Sequence, residues 1–538
     1  MDGDAVRKGT ALLGLELVVV LGAAVLAGSL LGARFRIAPP VLLLAAGVLA
    51  GFIPALRTVQ LPPQAVLLLF LPALLFWESL TTSLREIRSN LRGIVLVSTL
   101  LVIATAAAVA ATAHALGLPW GPAWVLGGAV APTDATVVGV VARLLPSRNL
   151  TILRAESLVN DGTALVVYGL AVGITVGAEH LSVLHVGGLF LRAYAGGVAA
   201  GAVVAWIGLR VRGRLEDPLL GNTASALIPF TAYLLAESVD ASGVLAVVTA
   251  GLILSQAGPR VGQAATRHQA EAFWSLGTFW LNGALFVLVG LELQSAVRGL
   301  TSEDIGRGLV TVLVVSVVLV AVRIAFLFVS AYAIRALDRR PSQRLRRVSH
   351  RSRIVSGLAG FRGAVSLAAA LAVPATVDSG APFPDRDTVV FVTAGVIVVT
   401  LLQGLVLPGV VRWARLPQDT RVQEERHLAE TVMTEEALAL MPDLAARYGT
   451  GPAVVDRLSE EFTRHLLVLN ADSTALDDDP AAHHELQYSE LRLALIARKR
   501  ATLVRLRDER RIDDIVLRQI QSALDVEEVR LTRRGPVD

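Results

Sequence analysis

The sequence predicts an all-α polytopic membrane protein that ends in a helical, water-soluble region. Three observations carry this. Of the 538 residues 54% are hydrophobic and only 17% charged, and the mean hydropathy is +0.61; ordinary globular domains carry roughly 25% charged residues. Apolar runs of about 20 residues, long enough to cross a bilayer core as helices, recur until about residue 413. Between them the arginines cluster in alternate connections, as short cytoplasmic loops require.

Thirteen spans are predicted in order, at 11–33, 38–56, 63–82, 92–116, 120–143, 150–175, 183–209, 219–238, 241–256, 270–296, 307–335, 354–374 and 387–413. The connections after the odd-numbered spans carry Arg34 and Arg36, Arg85, Arg88 and Arg92, Arg143 and Arg148, Arg210, Arg212 and Arg214, Arg260 and Arg267, and then a dense run from Arg335 to Arg353. The intervening ones hold Arg57, Glu179, Glu237 with Asp240, Arg298 among acidic neighbours, and Asp378 through Asp387. This places the N-terminus outside and the C-terminus in the cytoplasm, in a cell inner (plasma) membrane. Arg7 and Lys8 ahead of an apolar run with Ala23, Ala27 and Gly28 also suit a signal peptide, but Asp2, Asp4 and Glu16 and the length of the run argue for a retained span.

The remaining composition excludes several chemistries. Cysteine is absent, which removes disulfides, thiolate metal sites and cysteine nucleophiles. The net charge of +4 is scattered between apolar runs instead of forming a basic face, so no nucleic-acid partner is expected. From about residue 416 acidic and basic residues interleave, and Leu486, Leu491, Leu495, Leu503 and Leu506 recur at helical spacing. The chain therefore divides into a transmembrane domain, 1–415, and a cytoplasmic helical domain, 416–538, read as a solvated bundle or dimer contact or as a regulatory module.

Ionisable side chains within spans are costly and by default mark a pathway, a relay or a pair. Counted from the nearest cytoplasmic arginine at ~1.5 Å per residue, Glu78, Asp134, Glu156, Asp161, Arg323 and Arg362 lie about 10 to 20 Å deep, in one central slab. In the sixth span, ESLVNDGTA, Glu156 and Asn160 are four apart, as are Ser157 and Asp161, and that spacing stacks side chains on one helical face. Ser157, Asn160 and Asp161 thus offer a hydroxyl, an amide carbonyl and a carboxylate, the hard oxygen ligands of a cation. Arg192 and Glu16 lie nearer the outer face, where snorkelling accounts for them.

Two spans are interrupted. The fifth contains APTDA, where Pro132 removes a backbone donor and Thr133 or Asp134 is placed to cap the half-helix that follows. The twelfth contains SGLAGFRGAVS, in which Gly357, Gly360 and Gly363 loosen the helix around Arg362. Breaks at corresponding positions of two halves point to a transporter's binding site: spans 1–6 start outside, spans 8–13 start inside, and each half breaks in its fifth member. Asp134 and Arg362 read equally as electrostatic support for half-helix ends and as direct ligands.

The strings APTDA, ESLVNDGTA, GFRGAVSLA and FLPALLFWE, the last ending at Glu78, resemble the monovalent cation/proton antiporters of the sodium/proton exchanger type, in the branch with an Asn-Asp pair. The resemblance covers about residues 10–415. It implies two inverted six-helix repeats with crossed broken helices 5 and 12, a homodimer, and alternating access by movement of one helix bundle against another. It further implies that Asp161 takes either a proton or Na+, with Ser157, Thr133 and Glu78 as co-ligands of the metal ion, and that Glu156 pairs with Arg323. Asn160 stands where electrogenic relatives carry a second aspartate, which implies electroneutral exchange. Because one carboxylate cannot hold both ions, exchange needs no metal cofactor or nucleotide. Li+ and K+ suit the same oxygen ligands. An intramembrane enzyme would show a Gly-x-Ser-x-Gly or His-Glu-x-x-His motif and a channel would show pore-lining rings; the sequence carries neither.

Overall fold

The computed structural model describes residues 2–35, 39–53, 63–82, 84–134, 147–177, 183–258, 264–337, 349–416, 421–470, 480–509, 511 and 514–532. Among these the chain is helical without a strand, apart from two isolated β-bridges. It separates into two compact units, Met1–Gln418 and Asp419–Asp538.

The first unit contains α1 (Asp2–Phe35), α2 (Pro39–Ala50), α3 (Pro63–Thr81), α4 (Leu84–Val95), a π-helical turn (Leu96–Leu101), α5 (Val102–Ala115), α6 (Trp120–Val130), α7 (Ser147–Val176), α8 (Val183–Arg212), α9 (Pro218–Glu237), α10 (Gly243–Ala257), α11 (Ala264–Gly299), α12 (Ser302–Leu337), α13 (His350–Leu358), α14 (Ala364–Leu371) and α15 (Arg386–Ala414). Eight helical stretches among the described residues are long and apolar enough to cross a membrane, on α1, α5 with its π-turn, α7, α8, α9, α11, α12 and α15. α2, α10 and part of α3 are shorter apolar helices. The long helices carry exposed apolar side chains, such as Leu191 on α8 (70% exposed) and Val317 on α12 (68%), as a lipid-facing surface must.

Local chemistry sets several boundaries. Asp217 caps α9, accepting from the Leu219 N–H at 2.7 Å with Pro218 in the first turn, and Ser242 and Ser349 cap α10 and α13 in the same way. The fourth span begins earlier than its apolar run. Arg85, Arg88 and Arg92 lie on the amphipathic α4 instead of in a loop, because Ile87 and Ile94, seven apart, bury against Ala155 of α7. The second span is shorter than its apolar run, since α2 ends at Ala50 and turns at residues 51–53.

Packing sorts the helices into two bundles. α1, α2, α3, α8, α9, α10 and α11 contact one another, and α4 to α7 pack with α12 to α15. In the first bundle α2 and α11 cross so closely that a Cβ on Gly47 would strike the Val287 carbonyl and one on Gly290 the Leu44 carbonyl; small residues permit such approach in membranes. The second bundle holds both interrupted helices.

The second unit consists of α16 (Arg421–Tyr448), α17 (Pro452–Asn470), α18 (Pro480–Asp508) and α19 (Asp514–Thr532). Its buried core is Ile496, Leu503, Leu524 and Leu531. Of the leucines read from the sequence Leu503 lies in this core, seven residues after Ile496, whereas Leu491 and Leu495 are exposed.

Candidate ion-binding site

α6 stops at Val130 because Pro132 has no N–H to continue the ladder. Residues 131–134 run on non-helically, and the Asp134 N–H donates to the Phe361 carbonyl at 2.8 Å, pairing the two breaks antiparallel. The half-helix expected after Asp134 lies outside the described residues. On the other chain segment, α13 stops at Leu358 and α14 resumes at Ala364.

Several carbonyls at these helix ends have side-chain donors. Arg362 Nε donates to the Val130 carbonyl at 2.9 Å and its Nη1 to Gly360 at 2.5 Å, while its backbone N–H reaches Thr400 Oγ1 at 3.3 Å. Gln403 Nε2 donates to Leu358 at 2.7 Å, and Arg323 Nε to Ser356 at 3.1 Å. Cations thus sit at the negative ends of α6 and α13. The Asp134 carboxylate lies against Gly363, at the positive end of α14, where a Cβ would collide with it. Each break therefore lends a charge to the other.

α7 brings the remaining groups. Glu156 Oε1 lies 2.7 Å from Arg323 Nη1, with the two side chains 7% and 3% exposed. Ser157 Oγ donates to the Thr133 carbonyl at 2.7 Å, and Asn160 Nδ2 to Thr133 Oγ1 at 2.5 Å. Asp161 is buried, and its Oδ1 has no hydrogen-bond partner among the described residues. Glu78 on α3 and Asp134 both interact electrostatically with Asp161. Thr133, Glu156, Asn160, Arg323 and Arg362 line a cavity of ≈10 Å³, about the size of one water. An acidic group of Glu78, Asp134 and Asp161 thus stands beside the Thr133, Ser157 and Asn160 oxygens, with the Glu156, Arg323 and Arg362 charges behind.

The sequence reading missed three contributors. Arg154 acts on Glu78; it precedes Ser157 by three residues and Asp161 by seven, a same-face spacing visible in the sequence. Thr400 and Gln403 are polar residues three apart in the apolar middle of their span, a signal that they serve backbone groups. Arg192 does not simply reach for the interface: it donates to the Val239 carbonyl at 3.0 Å and pairs with Asp240 at 2.8 Å across the α9–α10 turn. The side chain of Glu16 lies outside the described ones.

The chain matches the transmembrane sodium/hydrogen exchanger family over residues 20–413. It is 45% identical over 521 residues to an uncharacterized Na+/H+ exchanger of Mycobacterium tuberculosis, covering 96% of each chain. It is 30% identical to the Na+/H+ antiporter ApNhaP of Aphanothece halophytica, covering 81% of each. The fold is similar to that of the sodium proton antiporter MjNhaP1 of Methanocaldococcus jannaschii, with a TM-score of 0.56 at 17% identity, covering 74% of this chain and 99% of that one. With a match spanning most of its length, the chain belongs to the sodium/hydrogen exchanger family of membrane transporters, and is not an enzyme.

Proposed function

We propose that the protein exchanges Na+ for H+ one for one across the inner membrane, with both ions competing for Asp161. The observation that carries this is the buried Asp161 carboxylate, with an oxygen that has no hydrogen-bond partner among the described residues, beside a backbone break and the Thr133, Ser157 and Glu78 oxygens. A cation completes the coordination that the protein leaves open, and a proton neutralises the same charge. If only the neutralised site changes access, transport in one direction obliges transport in the other. Asn160 donates to Thr133 and titrates no proton, which supports electroneutral exchange. Li+ and K+ are the other cations that carboxylate and hydroxyl oxygens serve.

The architecture is read as thirteen crossings in two inverted six-helix repeats around α8: eight long helices, three shorter ones and the two interrupted ones, with the C-terminus cytoplasmic. The pairing of Asp134 with Phe361, one from each break, supports that symmetry. The transporter acts as a homodimer by alternating access, with the bundle that holds the breaks moving against the other. Glu156 and Arg323 hold the moving bundle together, and Asp134 and Arg362 stabilise the half-helix ends.

The test is Na+-driven proton movement in proteoliposomes containing the wild type or Asp161→Asn. Wild type should release protons on addition of Na+, and the variant should insert normally yet exchange nothing. Exchange by the variant at the wild-type rate would remove Asp161 from the mechanism.

A further inference from the structure

α7 carries Glu156, Asn160 and Thr163 at spacings of four and three, one polar stripe on one face. Glu156 is held by Arg323 on α12 and Asn160 by Thr133 after α6, both within the bundle of the breaks. Thr163 is fully buried and is held differently: its hydroxyl is hydrogen-bonded to the hydroxyl of Tyr194 on α8. α8 packs chiefly on α9 and α10, in the other bundle. Thr99 in the π-turn lies beside the Tyr194 hydroxyl. Thr163 Oγ1 donates to the Val159 carbonyl at 3.3 Å, which leaves Tyr194 to donate to Thr163. Its ring is stacked on Phe190, centroids 4.8 Å apart and planes at 21°, so the hydroxyl is aimed by its own helix.

The partner of this hydroxyl lies on the helix that carries the ion site. Thr163 lies two residues beyond Asp161, and the π-turn supplies Val97 and Leu101 to the small cavity behind Asn160 and Thr133. π-Turns interrupt the regular helical ladder and gather at functional positions. A hydroxyl bridge between two bundles that must slide past one another is broken or remade when access changes, and its strength biases the two access states.

We propose that Tyr194 is a positioning residue for ion exchange, bridging α8 to the Asp161 helix and setting the balance between access states. It touches neither ion. Because Na+, Li+ and H+ all bind the same competent conformation, a change in the population of that conformation scales every apparent affinity by one factor. A ligand, by contrast, would alter one ion relative to another.

This inference rests on the exchange reading above. The experiment compares Tyr194→Phe, Thr163→Val and the double variant with the wild type in proteoliposomes, reading half-saturation for Na+, half-saturation for Li+ and the pH profile. Each single variant should shift the Na+ and Li+ values together by about three- to tenfold, the weight of one hydrogen bond, with the proton dependence displaced by the same factor. The double variant should be no worse than either single one. Thr163→Val, which leaves the Tyr194 ring in place, serves as the independent variant if a change at Tyr194 lowers insertion. Unchanged half-saturation, a changed Na+ to Li+ ratio, or additive single effects would each overturn the proposal. Asp161→Asn in matched vesicles separates the two ideas: residual exchange there defeats the exchange reading, whereas loss there with a silent Tyr194→Phe defeats the bridge alone.

Discussion

The same charge chemistry appears in both units of the chain, under opposite conditions. In the membrane unit Arg323 and Glu156 meet at 2.7 Å with side chains 3% and 7% exposed. In the second unit Arg500 meets Asp525 and Glu528 at 2.5 Å each, with exposures of 30%, 53% and 42%. Geometry alone would rank the two sites as equals. Solvent makes them different. Water replaces a lost surface partner and salt screens the remaining charge, whereas a buried charge without its partner stays desolvated and uncompensated. The buried pair is thus a condition for the bundle that carries the site, and the surface network is an adjustment to an assembled hairpin.

Breaking the buried pair should have the largest effect on stability. Glu156→Gln or Arg323→Leu alone should cost roughly 3–5 kcal/mol, read as lost yield and a lower melting temperature of the purified protein. The exchange Glu156→Arg with Arg323→Glu should recover part of that loss. Full recovery is not expected, because Arg323 Nε also donates to the Ser356 carbonyl at the end of α13, and a glutamate cannot. A double variant no better than the sum of the singles would contradict the pairing as the source of the loss.

An intermediate effect is expected where charge is added without removing a pair. Asn160→Asp replaces the amide donor to Thr133 Oγ1 with a second carboxylate beside Asp161. Two like charges sharing a site favour retention of a proton. Proton competition should therefore extend to higher pH and move the optimum of exchange in the alkaline direction, measured as Na+-driven pH change across a buffer series. An unaltered profile would place Asn160 outside the ion cavity.

The smallest effect belongs to the surface network. Arg500→Ala should leave the melting temperature and the exchange rate unchanged within error. A large loss at this exposed position would show that the second unit depends on its ion pairs more than on Ile496, Leu503, Leu524 and Leu531.

The two regions were also unequally legible in the sequence. A charged group in an apolar span stands out because burial there is costly, so Glu78, Glu156, Asp161, Arg323 and Arg362 announce themselves, and helical spacing places Ser157 with Asp161. Pro132 and the glycines around Arg362 mark the breaks by their backbone chemistry. What the breaks do for one another was not readable. That Arg362 serves the Val130 carbonyl, and that Gly363 leaves room for Asp134, are contacts between segments more than 200 residues apart in the chain. The π-turn was invisible because LVSTLL is an ordinary apolar helical run. In the tail every heptad register of leucines is equally plausible against solvent, so Leu491 and Leu495 read as no less suited to a core than Leu503, and Ile496 did not stand out.

Competition of two ions for one carboxylate is the central claim, and the pH dependence of apparent Na+ affinity tests it most directly. The half-saturation for Na+ should be constant at high pH and, once Asp161 protonates, rise by about tenfold for each unit that the pH falls, since each bound proton excludes one cation. The maximal rate at saturating Na+ should stay comparatively flat over that range. A half-saturation independent of pH, with the maximal rate alone changing, would contradict the account by showing that the proton and the cation occupy different sites.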